Sequence, residues 1–194
     1  MTLCTKEDVK AYMGGDMEGQ TKYDSVIDLI VPALTLLFEG HCGRYLEELA
    51  TTEYFDSDGY RRTLQVKRFP IKSSVAVTIH DDPDRVFDAT TFINSGDYSI
   101  DHNPGIIRLD TYAYFTKGIN SIKVAYTGGY AADTVPADLK LAAIIQAVAM
   151  LRRRVSQGKT NKSTRNSNAN ILQDPIVPEA KKLLERFLLE VSEY

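Results

Sequence analysis

The run Ile122-Lys-Val-Ala-Tyr-Thr-Gly-Gly-Tyr130, followed by Val135-Pro-Ala-Asp-Leu139, constrains the fold of this chain more than any other stretch. Its alternation of apolar and polar residues reads as a strand with one buried face. The double glycine ends that strand. Pro136 then suits the first turn of a helix, and Asp138 suits the positive N-terminal end of the same helix. From Leu139 to Leu151 nearly every residue is apolar or alanine. A helix apolar on all sides must be enclosed, by its own domain or by neighbouring subunits. A β-rich block therefore ends here and a helical core resumes.

The rest of the chain falls on either side of that switch. Thr5 to Met13 predicts a short helix, with Thr5 and Asp8 as a variant capping box and Gly14-Gly15 as its end. Apolar residues at helical spacing, from Tyr23 through Ile27, Ile30, Leu34, Leu37, Cys42 and Tyr45 to Leu49, predict a long helix over 22–49. Pro32 inside it removes the bond to the Asp28 carbonyl and predicts a kink or break there. From Thr51 the pattern changes to short strands. Asp58-Gly59 is a turn signal. Leu64, Val66 and Arg68 share one side of a strand, as do Val75, Val77 and Ile79. Tyr98–Asp101 and Ile106–Leu109 flank the turn His102-Asn-Pro-Gly105 as a hairpin. Six or so short strands suggest a small antiparallel sandwich or barrel. After the apolar helix, 156–170 is Ser/Asn/Thr/Lys-rich and aperiodic, the expected mobile loop. Pro178 opens a last amphipathic helix with Ala180, Leu183, Leu184, Phe187, Leu188 and Val191 inward.

The expected fold class is α+β: a helical core from residues 1–50 and 130–194, with an inserted antiparallel β-rich module over 51–129. Hydrophobic content of 43% and charged content of 25% suit a globular chain. The net charge of −3 excludes a basic character for the whole chain, so any nucleic-acid contact must be local. Two cysteines, Cys4 and Cys42, are too few for a disulfide framework and fit a reducing compartment. No signal peptide is evident, and no apolar stretch of the roughly 20 residues that span a bilayer stands out, so no membrane partner is expected.

Motifs of catalysis are weak. Asp56, Asp58 and Gly59 resemble the start of a calcium loop, but the twelfth position is Lys67 where a bidentate glutamate is required; a hairpin turn explains them. His41, His80 and His102 show no ligand spacing. Asp81, Asp82 and Asp84 surround Pro83 and read as a solvated loop. Gly128-Gly129 lacks the partners of a phosphate loop. No metal, cofactor or catalytic residue is assigned. One block stands out on an acidic chain: Arg152, Arg153, Arg154, Lys159, Lys162 and Arg165, with no acidic residue among them. It reads as a dipole-favoured helix end running into a soluble loop, or as a contact for DNA phosphate or an acidic partner. No aromatic interleaves it, which argues against base stacking.

The order of pieces resembles the head–tail connector (head-completion adaptor, neck) proteins of long-tailed bacteriophages. The matching pieces are Tyr54-Phe-Asp-x-x-Gly59, Leu64-x-Val66, Pro70-Ile71, Tyr98-x-Ile-Asp101, Gly105-Ile-Ile-x-Leu109, Phe115-x-x-Gly118, Val124-x-Tyr-Thr-Gly-Gly-Tyr130 and Val135-Pro-x-Asp-Leu139. The resemblance runs from about Thr21 to Val191; the loop 86–96 has no counterpart in it. It implies a virion structural protein, not an enzyme. Such a protein is assembled in the host cytoplasm and completes the head after DNA packaging. It implies a homo-oligomeric ring, roughly dodecameric, that binds the portal, extends the DNA channel and receives a downstream neck or tail-completion protein. The helix bearing Leu139, Ala142, Ala143, Ile145, Val148 and Leu151 is then the candidate subunit interface, and the basic block faces portal or DNA. The alternatives left open are a monomeric binding module with a β-sandwich ligand site and a metal-dependent hydrolase using Asp56, Asp58 or the Asp81–Asp84 cluster.

Overall fold

The computed structural model describes residues 2–14, 20–110, 113–157 and 175–189. The chain order is α1 (Lys6–Met13), α2 (Asp24–Cys42), β1 (Leu49–Ser57), β2 (Thr63–Gln65), β3 (Thr78–Asp81), β4 (Tyr98–Asp101), β5 (Ile106–Leu109), β6 (Gly118–Gly128), α3 (Ala137–Gln157) and α4 (Pro178–Leu184). The fold class is α+β, as the sequence predicts. Two compact units form. One comprises Met1–Cys42 and Thr134–Leu188, the other Gly43–Asp133 and the chain from Leu189.

In the helical unit, α1 begins as predicted: Thr5 Oγ1 accepts from the Asp8 amide at 3.1 Å, and Asp8 accepts from the Thr5 amide at 2.8 Å. Lys140 on α3 also reaches Asp8, at 2.9 Å. Burial pushes the Asp8 carboxyl up, but Lys140 and the two Thr5 donors outweigh it and hold the group below its ordinary value. A depressed carboxyl stabilises the fold above its unfolded pKa, and that contribution is lost as pH falls through the folded one. Lys10–Asp24 at 2.6 Å and Lys6–Asp28 at 3.0 Å tie α1 to α2. Val9, Ile27, Leu34, Phe38, Leu139 and Leu184 are among its fully buried side chains. Gln146, completely buried on α3, donates to the Pro175 carbonyl at 2.8 Å and accepts from the Val177 amide at 2.9 Å. The start of α4 is thereby fixed to the middle of α3.

Several helical expectations change. α2 stops at Cys42, because Gly43 at φ 67 turns the chain out of the helix. Tyr45 and Leu49, expected on its inward face, belong to the other unit and are exposed. Pro32 does not interrupt α2. It lies on the exposed side, where the Asp28 carbonyl can be hydrated in place of its lost bond. At 19 residues α2 is also long and apolar enough, by those measures alone, to cross a membrane, which the sequence reading missed. Its Ile27, Val31, Leu34 and Phe38 are core. α4 ends at Leu184 and tightens into a 3₁₀ turn, Glu185–Phe187, after which Leu188 is extended and exposed. Leu183 is half-buried. Val191 and most of the expected loop 156–170 lie outside the described residues.

The other unit holds two three-stranded antiparallel sheets, ordered β1-β6-β3 and β2-β5-β4. In the first, Glu53, Val124 and Ile79 lie on one rung; in the second, Leu64, Ile107 and Ile100 do. The hairpin β4–β5 forms as read. Leu64, Val66, Ile79, Ile107, Phe115, Ile122 and Val124 have no exposed surface and pack into one core shared by both sheets. Leu64, Val66 and Arg68 are buried in turn as predicted, but β2 ends at Gln65, so Val66 and Arg68 lie beyond the strand, and Phe69 is buried beside Arg68. Val75 departs from its predicted row: it is exposed, and β3 begins only at Thr78. The unit starts at Gly43, earlier than the predicted switch at Thr51, because Tyr45 and Glu47 bridge Arg68 and Tyr130.

The double glycine has a sharper role than a turn. A Cβ on Gly128 would sit 2.2 Å from the Arg68 carbonyl oxygen, and one on Gly129, at φ 97, would sit 2.4 Å from that of Glu47. The Gly129 amide donates to Pro70 O at 2.9 Å, and the Tyr130 amide to Leu46 O at 2.8 Å. Only a chain without side chains passes between those two backbones. Gly128→Ala and Gly129→Ala should each cost more than about 2 kcal/mol. Urea denaturation read by near-UV circular dichroism checks this, and Gly40→Ala, inside α2 with open space around the new methyl, serves as the control that should stabilise by up to about 1 kcal/mol.

Candidate functional site

The sequence-predicted residues come apart into three groups. Leu139, Ala142, Ala143, Val148 and Leu151 are buried within the chain itself, and Ile145 is half-buried. α3 packs with α1, α2 and α4. The apolar character of those five is therefore accounted for without a neighbour. Arg152 and Arg154 are exposed at the end of α3 and have no partner among the described residues; Arg153 is half-buried and engaged. Lys159, Lys162 and Arg165 lie outside the described residues.

The acidic candidates accept hydrogen bonds from backbone amides, although Asp81 Oδ1 is buried without a partner among the described residues. Asp56 lies where the β1–β6 register shifts between Phe55 and Ser57, and its Oδ1 accepts from the Asn120 amide at 2.7 Å. Asp58 Oδ1 accepts from the Tyr60 amide at 2.8 Å across the Gly59 turn. Asp81 Oδ2 accepts from the Thr116 amide at 2.8 Å, and Asp82 accepts from the Asp84 and Val86 amides. Backbone donors to carboxylates of this kind fix loops. Among the described residues no three His, Cys, Asp or Glu side chains converge to hold a metal ion. His102 Nδ1 donates to the Ile71 carbonyl at 3.0 Å, a turn contact.

Two surfaces on the β unit were not legible beforehand. The loop 86–96 folds onto the first sheet. Tyr54, Lys123 and His80 form one rung across β1, β6 and β3. Phe87 lies over that rung, 5.8 Å from the Tyr54 ring, 6.2 Å from His80 and 5.5 Å from the Lys123 ammonium. Residues 91–93 then run beside β3, with Asp81 N donating to Thr91 O and Ile93 N to Ile79 O. At one end of the unit, Tyr60 and Ile119 are 79% and 74% exposed, and Tyr60 meets Tyr114 edge-on at 6.3 Å beneath the Arg62 guanidinium. Exposed Tyr60 and Tyr114 beside a half-buried Arg62 have the side-chain types common at protein-binding surfaces.

A buried cluster lies beneath the double glycine. The Arg44 guanidinium sits 3.4 Å over the Phe69 ring and donates to the Phe69 carbonyl. Arg68 stacks 4.7 Å from the Tyr45 ring and donates to Glu47 O. The Tyr126 hydroxyl accepts from the Arg68 amide and donates to Glu53; burial first, and the Glu53 carboxylate second, push its pKa far up. These groups are closed off by their own contacts and act as struts.

No protein-family model and no curated protein matches this chain. Solved structures do share its fold. A chain in the neck of an empty gene transfer agent particle, computed with C6 symmetry, superposes with a TM-score of 0.54 at 13% identity, over 86% of this chain and 79% of that one. A chain in the neck of a native particle, computed with C12 symmetry, gives 0.54 at 12%, over 85% and 82%. One in the virion of the native particle gives 0.54 at 14%, over 91% and 82%.

The placement of Phe87 has a direct consequence. Phe87→Ala should release the loop 86–96 at a cost of about 1 kcal/mol. Amide hydrogen exchange should rise at Asp81 and Ile93 and stay unchanged in α1–α3.

Proposed function

We propose that this protein is a structural component of a phage-like virion neck: a head–tail connector that works by ring assembly and not by catalysis. In this reading copies close into a ring beneath the portal, extend the DNA channel after packaging, and offer a docking surface to the next neck or tail-completion protein. The observation that carries it is the shared fold, spanning most of both chains, with proteins solved in particle necks of C6 and C12 symmetry. The distribution of surface chemistry is consistent with it. Polar side chains in the loops are taken up by local capping, whereas large apolar side chains stand in solvent at Leu29, Leu36, Tyr60 and Ile119. Leu29 and Leu36 share one face of α2, and exposed apolar patches mark contact surfaces. Arg152 and Arg154 supply charge for an acidic neighbour or for DNA phosphate.

One observation favours the second reading, a monomeric binding module: α3 is largely covered by its own chain, so it does not by itself require sister copies. Sedimentation velocity and negative-stain electron microscopy separate the two. The connector reading expects closed rings at high protein concentration or on addition of portal. A protein that remains monomeric across that range, portal included, is not a connector.

A further inference from the structure

β1 lies at the margin of its sheet, in the order β1-β6-β3. The Lys72 amide donates to the Thr127 carbonyl and the Asp82 amide to the Ser121 carbonyl, both at 2.8 Å, so odd-numbered residues of β6 turn their backbone groups away from β1. Even-numbered ones, from Ile122 to Gly128, therefore hold β1, through Phe55, Glu53, Thr51 and Leu49. The amides and carbonyls of Ala50, Thr52 and Tyr54 point the other way. They have no partner among the described residues, and all three residues are exposed. Beyond them, the Asp56 carbonyl is taken by the Arg61 guanidinium, at 3.1 Å. β3 differs, since Thr91 and Ile93 bond its outer side. β1 has nine residues, with no Lys or Pro along it to turn another strand away.

A cavity of about 520 Å³ runs beside that edge. Residues 51–56 line it, both rows of β1 side chains together, so it opens along the edge and not over one face. Tyr45, Arg61 and Lys67 line it too. The Tyr45 amide donates to the Lys67 carbonyl at 2.9 Å and the Lys67 amide to the Glu53 carboxylate at 3.2 Å, so this second stretch of chain stands across from β1. The space between admits one extended chain, whereas the edge of a second sheet meets that wall. Unpaired amides and carbonyls in alternation fit one kind of group, another extended backbone. The charges suit no polyanion: Glu53 and Asp56 balance Arg61 and Lys67, so DNA phosphate finds no net attraction here. We propose that β1, over Ala50–Tyr54, takes up an extended, uncharged segment of a partner protein as an added strand. That segment has no proline at its pairing positions, since each must give an amide. The proposal stands whether or not copies close into a ring.

The full chain tests it, probed with an array of random seven-residue peptides. Uncharged peptides should bind, and N-methylation of the best one should weaken it at alternate residues only, by at least about tenfold. Thr52→Pro removes an outward amide and no bond to β6, so the protomer should keep its melting temperature while binding falls by a similar factor. Hydrogen exchange reads the same edge without a substitution. In the wild-type chain, bound peptide should slow the amides of Ala50, Thr52 and Tyr54 and leave α1–α3 unchanged. An array without a binder, N-methyl effects without alternation, binding that survives Thr52→Pro, or binding that leaves those three amides unprotected overturns the proposal. Protection of the three amides that rises with protein concentration alone identifies a second copy as the occupant and overturns it as well.

Discussion

The β unit depends on one close crossing of three backbone segments. Gly128 and Gly129 thread between the chain at Leu46–Glu48 and the chain at Arg68–Pro70, and each side is held by carbonyls that accept from the threading amides. The two buried arginines strengthen the same crossing. Arg44 donates to Phe69 O and Arg68 to Glu47 O, while aromatic rings cover both guanidiniums. Carbonyls at such a crossing would otherwise be buried with unused acceptor capacity, and a charged donor satisfies them more strongly than a neutral one. This anchoring draws Gly43–Glu48 out of the preceding helix and gives the long strand β6 a fixed end.

Much of this was legible because it is local. The capping box at Thr5 and Asp8, the hairpin around Pro104-Gly105, and the period-two burial of Leu64, Val66 and Arg68 each follow from a few adjacent residues. What was not legible depends on contacts distant in sequence. Helical spacing continues through Tyr45 to Leu49, yet Gly43 and the pairing with Arg68 and Tyr130 override it. Val75 fits the strand alternation but precedes the point where β3 meets β6. The register with Lys123 that brings Tyr54 and His80 under Phe87 joins three strands, and no pattern within residues 86–96 announces it.

The helices illustrate a further limit. In α2 and α3 most positions are apolar, so periodicity cannot say which apolar side chains point outward. Sequence reasoning placed the subunit contact on Leu139, Ala142, Ala143, Ile145, Val148 and Leu151, and the chain itself encloses all of them but Ile145, which is half-buried. The residues left outside, Leu29 and Leu36, sit on a helix whose other face is equally apolar. On α3, Gln146 is a side chain that could have marked the inward direction. A buried amide needs partners, and it finds both at the start of α4.

The excursion at 86–96 carries a consequence for how this protein behaves at high concentration. A sheet margin with free amides and carbonyls recruits foreign strands. Here Thr91 and Ile93 take up the free margin of β3, and Phe87 lids the surface above it. That flank of the sheet is fenced, so many identical molecules can gather at high local density without fusing into a fibre along β3.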